Sequence, residues 1–173
     1  MKPLLSALAN VFQVATLLAI CGPAEAALQC TLGTGVALNF GTYDDSSLVT
    51  RDVSTTLSVS CCRTSVPNPT VGTLSIALGT SAHSGQINTR QMKNGVNADL
   101  LSYQLYFRSF GGTVWGDGVT GGSVFTQSVS VSQNCSASQA VIPVGSAIFG
   151  RIFVQQPVSA GNYGDTVTIT VTP

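Results

Sequence analysis

Along much of the chain apolar and polar residues alternate singly, the period of a half-buried strand and not the 3.6-residue period of a helix. The run over 53–61, ending in Leu57-Ser58-Val59-Ser60-Cys61, predicts one strand. Leu74-Ser75-Ile76-Ala77-Leu78 predicts another that stops at Gly79, with a loop over 80–85. Leu101-Ser102-Tyr103-Gln104-Leu105-Tyr106-Phe107 and the run over 125–131 alternate in the same way. Residues 147–154 are largely apolar, and 166–171 close the chain as a further strand. Upstream, Val36-Ala37-Leu38-Asn39-Phe40 leads into Gly41 and a turn at Thr42-Tyr43-Asp44-Asp45. Residues 64–69, with Pro67 and Pro69, predict a loop. Residues 111–122, with six glycines around Trp115, predict a long flexible one. Residues 92–100 leave room for one helical turn. Seven or so short strands between turn signals predict an all-β sandwich in one domain.

Composition agrees and narrows the function. The 173 residues include 20 Ser, 19 Thr, 18 Gly and 20 Val, the residues of strands and turns. Only 8% are charged, with zero formal net charge, against roughly 25% in an average domain. With no basic excess and no basic run, a nucleic-acid partner is excluded. The 44% apolar content supports a core, which argues against disorder.

Residues 1–26 read as a signal peptide. Lys2 precedes an apolar run, and Ala24-Glu25-Ala26 places small residues where a signal peptidase reads them. Ser6, Asn10 and Gln13 interrupt the run, which argues against a membrane anchor. Cleavage after Ala26 leaves residues 27–173 as the mature domain and removes Cys21.

Cys30, Cys61, Cys62 and Cys135 remain, an even number in an exported chain, so two disulfides are expected. Four cysteines allow three pairings. Alternation turns Cys61 toward the core with Leu57 and Val59, and turns Cys62 outward. A bond between the two adjacent cysteines is strained. The expected pairs are therefore Cys30–Cys61 inside and Cys62–Cys135 on the outer face. Closing the first loop contributes roughly 3–4 kcal/mol and the longer second loop slightly more. The spacing fits no structural zinc site.

Catalytic chemistry finds little material. His83, the only histidine, stands in a polar loop between Ala82 and Ser84. No G-x-S-x-G elbow precedes a helix. Asp44-Asp45 reads as a turn more readily than as a calcium site. Gly33-Thr34-Gly35 lacks the helix that a phosphate loop needs. No catalytic, cofactor-binding or metal-binding residue is expected, and no small-molecule substrate. Trp115 beside Gly116-Asp117-Gly118 offers a surface for stacking on a sugar, although a tryptophan folded back on the sandwich is the simpler reading.

The ordered segments resemble the spore coat protein U domain family, which also supplies the subunit domain of archaic, Csu-type chaperone–usher pili. The resemblance runs from Cys30 to Pro173. It is carried by Phe40-Gly41-Thr42-Tyr43, Val59-Ser60-Cys61, Leu74-Ser75-Ile76-Ala77-Leu78-Gly79, Arg90-Gln91-Met92 and Leu101-Ser102-Tyr103-Gln104-Leu105-Tyr106. Trp115-Gly116-Asp117-Gly118, Phe149-Gly150-Arg151-Ile152, Gln155 and the block from Ala160 to Val171 complete it. The resemblance implies an incomplete immunoglobulin-like β-sandwich completed by a donor strand. It implies an apolar groove beside the terminal strand, with Val167, Ile169 and Val171 facing the core and Thr166, Thr168 and Thr170 facing out. It also implies the first-to-second cysteine bond. The implied partners are a periplasmic pilus chaperone, an outer-membrane usher and neighbouring subunits, with passage through the periplasm to a surface fimbria.

If cleavage follows Ala26, only Ala27-Leu28-Gln29 precede Cys30. Such a chain accepts a strand without giving one, which points to the pilus tip and an adhesive role in biofilm formation. Adhesive loop contacts would then fall to Phe110, Val114 and Trp115. Two other readings stand beside this one. One is a secreted coat or matrix protein with a self-complete sandwich. The other is a carbohydrate-binding module using Trp115 and Tyr106.

Overall fold

The computed structural model describes residues 28–33, 36–64 and 68–173. The expected signal peptide, Ala27, Thr34 and Gly35, and residues 65–67 of the proline loop lie outside them. The described residues form twelve strands and no helix. In chain order these are β1 Leu28–Leu32, β2 Arg51–Thr55, β3 Ser58–Arg63, β4 Thr70–Ser81, β5 Arg90–Asn94 and β6 Leu100–Phe107. They continue as β7 Thr113–Val114, β8 Phe125–Val131, β9 Ala140–Pro143, β10 Ile148–Ile152, β11 Tyr163–Gly164 and β12 Val167–Thr172.

The strands make three antiparallel sheets. The largest runs β11-β5-β6-β10-β2, with β7 paired to β6. The second runs β12-β4-β8 and the third β1-β3-β9. Ile76 and Leu78 of β4 and Phe125 and Val129 of β8 share one buried cluster with Leu105 and Phe107 of β6 and Ile148 and Ile152 of β10. Phe107 meets Trp115 and Phe125 edge-on at 5.6 and 5.7 Å, locking the largest sheet to the β12-β4-β8 sheet. The result is an immunoglobulin-like sandwich in which most strands bury one alternating row, while β6 buries both rows from Tyr103 to Phe107.

Two disulfides staple β3 on both sides. Cys30–Cys61 joins it to β1, and Cys62–Cys135 joins it to the turn before β9. Cys62 does not lie on an open outer face. It is fully buried, because its bond draws the segment around Cys135 over it, where the Arg63 carbonyl accepts from the Cys135 amide at 3.0 Å.

Several expectations need correction. The run over 53–61 is two strands in two sheets, β2 and β3, joined through Thr56 and buried Leu57. Alternation hides the break because both halves bury the same parity. β4 does not stop at Gly79. It continues to Ser81, since Gly79 meets only ordinary contacts from Thr168. Residues 92–100 hold no helical turn. β5 ends at Asn94, whose side chain caps the following turn by accepting from the Val96 amide at 2.9 Å. Residues 111–122 are not an open loop: they form β7, the buried Trp115 and a tight return. Alternation along the chain predicts none of the short strands β1, β5, β7, β9 and β11.

Candidate functional site

The terminal strand is an edge strand that lies beside a cleft. β12 pairs with β4 on one flank and ends the strand order of its sheet on the other. Val167, Ile169 and Val171 face the core, alternating with exposed Thr166, Thr168, Thr170 and Thr172. On β4, the partner row Leu74, Ile76 and Leu78 is completely buried, yet the β12 row is only half-buried. A cleft explains the difference. Val167, Ile169 and Leu78 form one wall of a cavity of about 320 Å³, and Tyr103, Leu105 and Ile148 form the opposite one. Val36, Leu38 and Phe40 complete the lining, the last two against Gly150 of β10. A second cavity of about 800 Å³ shares Leu38, Phe40, Met92 and Tyr163, and extends the cleft toward Ile152, Val158 and Tyr43.

Polar groups fix the geometry of this edge. Asp165 precedes β12 and accepts from the Ala82 and Thr166 amides at 2.9 and 2.8 Å and from the Tyr103 hydroxyl at 2.7 Å. Burial, reinforced by the Asp165 carboxylate, raises the Tyr103 phenol far above its ordinary range, so it remains a donor. The start of β12 is thereby tied to β6. Gln156 acts similarly on the far side. Its side-chain amide donates to the Ser102 carbonyl at 2.9 Å and accepts from the Ser102 amide at 2.7 Å, as a paired strand residue would. Its own backbone amide donates to the Tyr43 hydroxyl at 2.8 Å. The sequence resemblance singled out Gln155, which instead takes a left-handed φ of 54° and turns the chain.

Arg90 is the residue that sequence reasoning underused. It is fully buried on β5 and donates to Gln104 Oε1 at 2.7 Å, to the Gly79 carbonyl at 2.8 Å and to the Trp115 carbonyl at 2.9 Å. Burial lowers its guanidinium from the ordinary arginine value, opposed by the fields of Tyr103, Asp165 and Asp117. Trp115 is anchored from the other end, its indole N–H donating to the Ile76 carbonyl at 2.8 Å.

These bonds decide the fate of the expected contact residues. Trp115 is 0% exposed, so it touches neither a receptor nor a sugar, and Tyr106 is buried as well. Val114 is half-buried on β7. Phe110 is 36% exposed and packs edge-on against Phe149 at 5.0 Å. Val71, Val119 and Val141 are exposed singly, while five other exposed apolar side chains lie toward one end of the largest sheet. Leu48 and Val49 precede β2, Val96 follows β5, Leu100 opens β6 and Phe153 follows β10. Register places Ile152 opposite Tyr103 and Arg51, so all five mark one end of the largest sheet. His83 is exposed in a turn. Asp44 accepts from the amide and hydroxyl of Ser46 at 2.9 and 2.6 Å, which makes it a turn residue. Asp117 accepts from the amides of Val119 and Thr120 and the Thr120 hydroxyl, and those bonds hold its carboxyl well below the usual range. Among the described residues, no three His, Cys, Asp or Glu side chains cluster to hold a metal.

Fold, disulfide pair and cleft define a β-sandwich whose terminal strand ends its sheet beside an apolar cleft. The chain belongs to the Spore Coat Protein U domain family, whose model matches residues 14–170. It is 31% identical over 194 residues to Protein U of Myxococcus xanthus, a match covering 99% of each chain. Among solved structures it is similar to the CsuC–CsuE chaperone–tip adhesion subunit complex of the archaic Csu pili of Acinetobacter baumannii, with a TM-score of 0.46, 21% identity and 84% of this chain covered. It is also similar to a chaperone–tip adhesin complex of CFA/I fimbriae, with a TM-score of 0.43, 18% identity and 84% coverage. The chain spans 40% and 42% of those two chains.

Proposed function

We propose that the protein is a structural, non-enzymatic subunit of a surface fimbria of the chaperone–usher kind, joined to its neighbours by donor-strand complementation. The half-buried row Val167, Ile169 and Val171, above an apolar cleft beside an unpaired edge, is the observation that supports this reading. An extended strand laid along β12 would close the open ladder while its alternate side chains fill the cleft. A periplasmic chaperone supplies that strand first, an outer-membrane usher exchanges it, and a neighbouring subunit replaces it. The position is at or near the tip, with an adhesive role that the apolar end at Leu48, Val49, Val96 and Phe153 fits better than Trp115 does.

Expression in a periplasm, with and without a co-expressed pilus chaperone, tests the proposal. The expected result is proteolysis of the lone subunit and recovery of a stable chaperone complex. Ile169→Asp, which puts a charge on the cleft wall, is expected to abolish that complex. A protease-resistant monomer without any partner overturns the proposal. That outcome would favour a second reading, a secreted coat protein with a self-complete sandwich. The end-to-end match to Protein U within the spore coat family is what supports it.

A further inference from the structure

We infer that segment 36–40 is a built-in occupant of the cleft, held there until an incoming strand displaces it. The inference rests on the reading of the cleft as a strand acceptor. Val36 and Leu38 are half-buried and Phe40 is buried, while Ala37 and Asn39 are exposed, which is the alternation of a strand. Yet the segment belongs to no sheet. Side chains hold it instead. Leu38 and Phe40 lie in a dent on β10, where Gly150 interrupts the inward row Ile148, Gly150, Ile152, and a Cβ at Gly150 would overlap Leu38 Cδ2 and Phe40 Cζ. Phe40 also meets Tyr103 edge-on at 6.0 Å, and its carbonyl accepts from Arg51 Nε at 2.6 Å. Gly41, at a φ of 69°, then turns the chain away.

The segment therefore offers the apolar teeth of an added strand without the ladder hydrogen bonds. A true strand brings both and wins the site. Until then, the occupant covers apolar surface that would otherwise be exposed beside an open edge. It also lowers the apparent affinity for any donor, because the empty cleft is only a fraction of the population.

Two substitutions loosen the occupant. Gly150→Ala wedges it out, and Leu38→Ser removes its central anchor at a half-buried site, where folding is less at risk. The emission of the buried Trp115 reports that each protein is folded. The probe is a synthetic peptide copying residues 33–43, titrated calorimetrically, with chymotryptic cleavage at Phe40 as a second readout. Each folded variant is expected to be cleaved at least ten-fold faster than wild type and to bind the peptide at least ten-fold more tightly. If wild type binds the peptide and neither variant binds it better, the occupant does not compete for the site; the inference falls and the strand-acceptor reading survives. If cleavage rises but no protein binds the peptide, the cleft is no strand acceptor, and both readings fall together.

Discussion

At the scale of single residues, Arg90 and Trp115 organise the molecule and show what alternation conceals. A buried arginine that touches no carboxylate must be held by neutral acceptors, and three elements supply them: Gln104 on β6, Leu78 and Gly79 on β4, and the Trp115 carbonyl. Arg90→Met removes the donors and strands those acceptors. We expect a loss of about 2–3 kcal/mol, measured as a lower urea midpoint with an unchanged m-value, and a smaller loss for Arg90→Lys. Around Trp115 the sequence favours a tryptophan folded back on the sandwich but predicts a flexible loop to carry it, because glycine marks two different things. In an open loop it gives freedom; here it permits contact. A Cβ at Gly122 would stand 2.8 Å from the Gly116 amide nitrogen and the Val114 carbonyl oxygen. Gly116 and Gly122 let backbone lie against backbone, Gly111 and Gly118 turn the chain at positive φ, and the tryptophan folds inward. Only the partner that the indole N–H finds, on β4, separates these meanings, and no local pattern carries it.

At the scale of elements, the longer strands with an apolar buried row are legible, whereas β1 and β9, five and four residues long, and β5, with a polar row, are not. β6 and β8 were placed within a residue. β5 buries Arg90, Met92 and Asn94, so its inward row looks polar and the strand escaped notice. β2 and β3 ran together because a strand that switches sheets can keep its parity. The β2–β10 ladder makes a pH prediction. Asp52 sits directly opposite Arg151 and accepts from its guanidinium at 2.7 and 2.6 Å. That bond lowers the Asp52 carboxyl from its ordinary value. A depressed carboxyl adds stability above the unfolded value of about 3.9 and loses it as pH falls through the lower folded value. Because the pair is partly exposed, its contribution is about 0.5 kcal/mol. Asp52→Asn should therefore be less stable than wild type at neutral pH, and the two thermal midpoints should converge in acid.

At the scale of the whole molecule, the sandwich class followed from strand count and composition, and the terminal row was already visible as alternating valine, isoleucine and threonine. The cleft was not. It depends on which strand ends a sheet, and that is a property of topology. The apolar end of the largest sheet is likewise unreadable in the sequence, since Leu48, Val96 and Phe153 are far apart in the chain and come to one end of the sheet only through register. If that end adheres, Leu48→Ser, Val49→Ser and Val96→Ser together should reduce binding of fimbriated cells to a hydrophobic surface by at least ten-fold, with fimbriae still assembled. Unchanged binding would move adhesion to another part of the chain.

The two disulfides have a mechanical consequence. Because Cys61 and Cys62 are neighbours, the bonds Cys30–Cys61 and Cys62–Cys135 leave a covalent route from residue 30 to residue 135 that bypasses both intervening loops. A pull applied between Leu28 and Pro173 cannot draw those loops out. Only the tail after Cys135 can extend, 38 residues by its numbering, or about 130 Å of contour at roughly 3.4 Å per residue. Force spectroscopy should show that short step in oxidised protein and a step of about 500 Å once the bonds are reduced. Under load the molecule would behave as a short tether on a closed ring, yielding at β12 while the body of the sandwich stays linked.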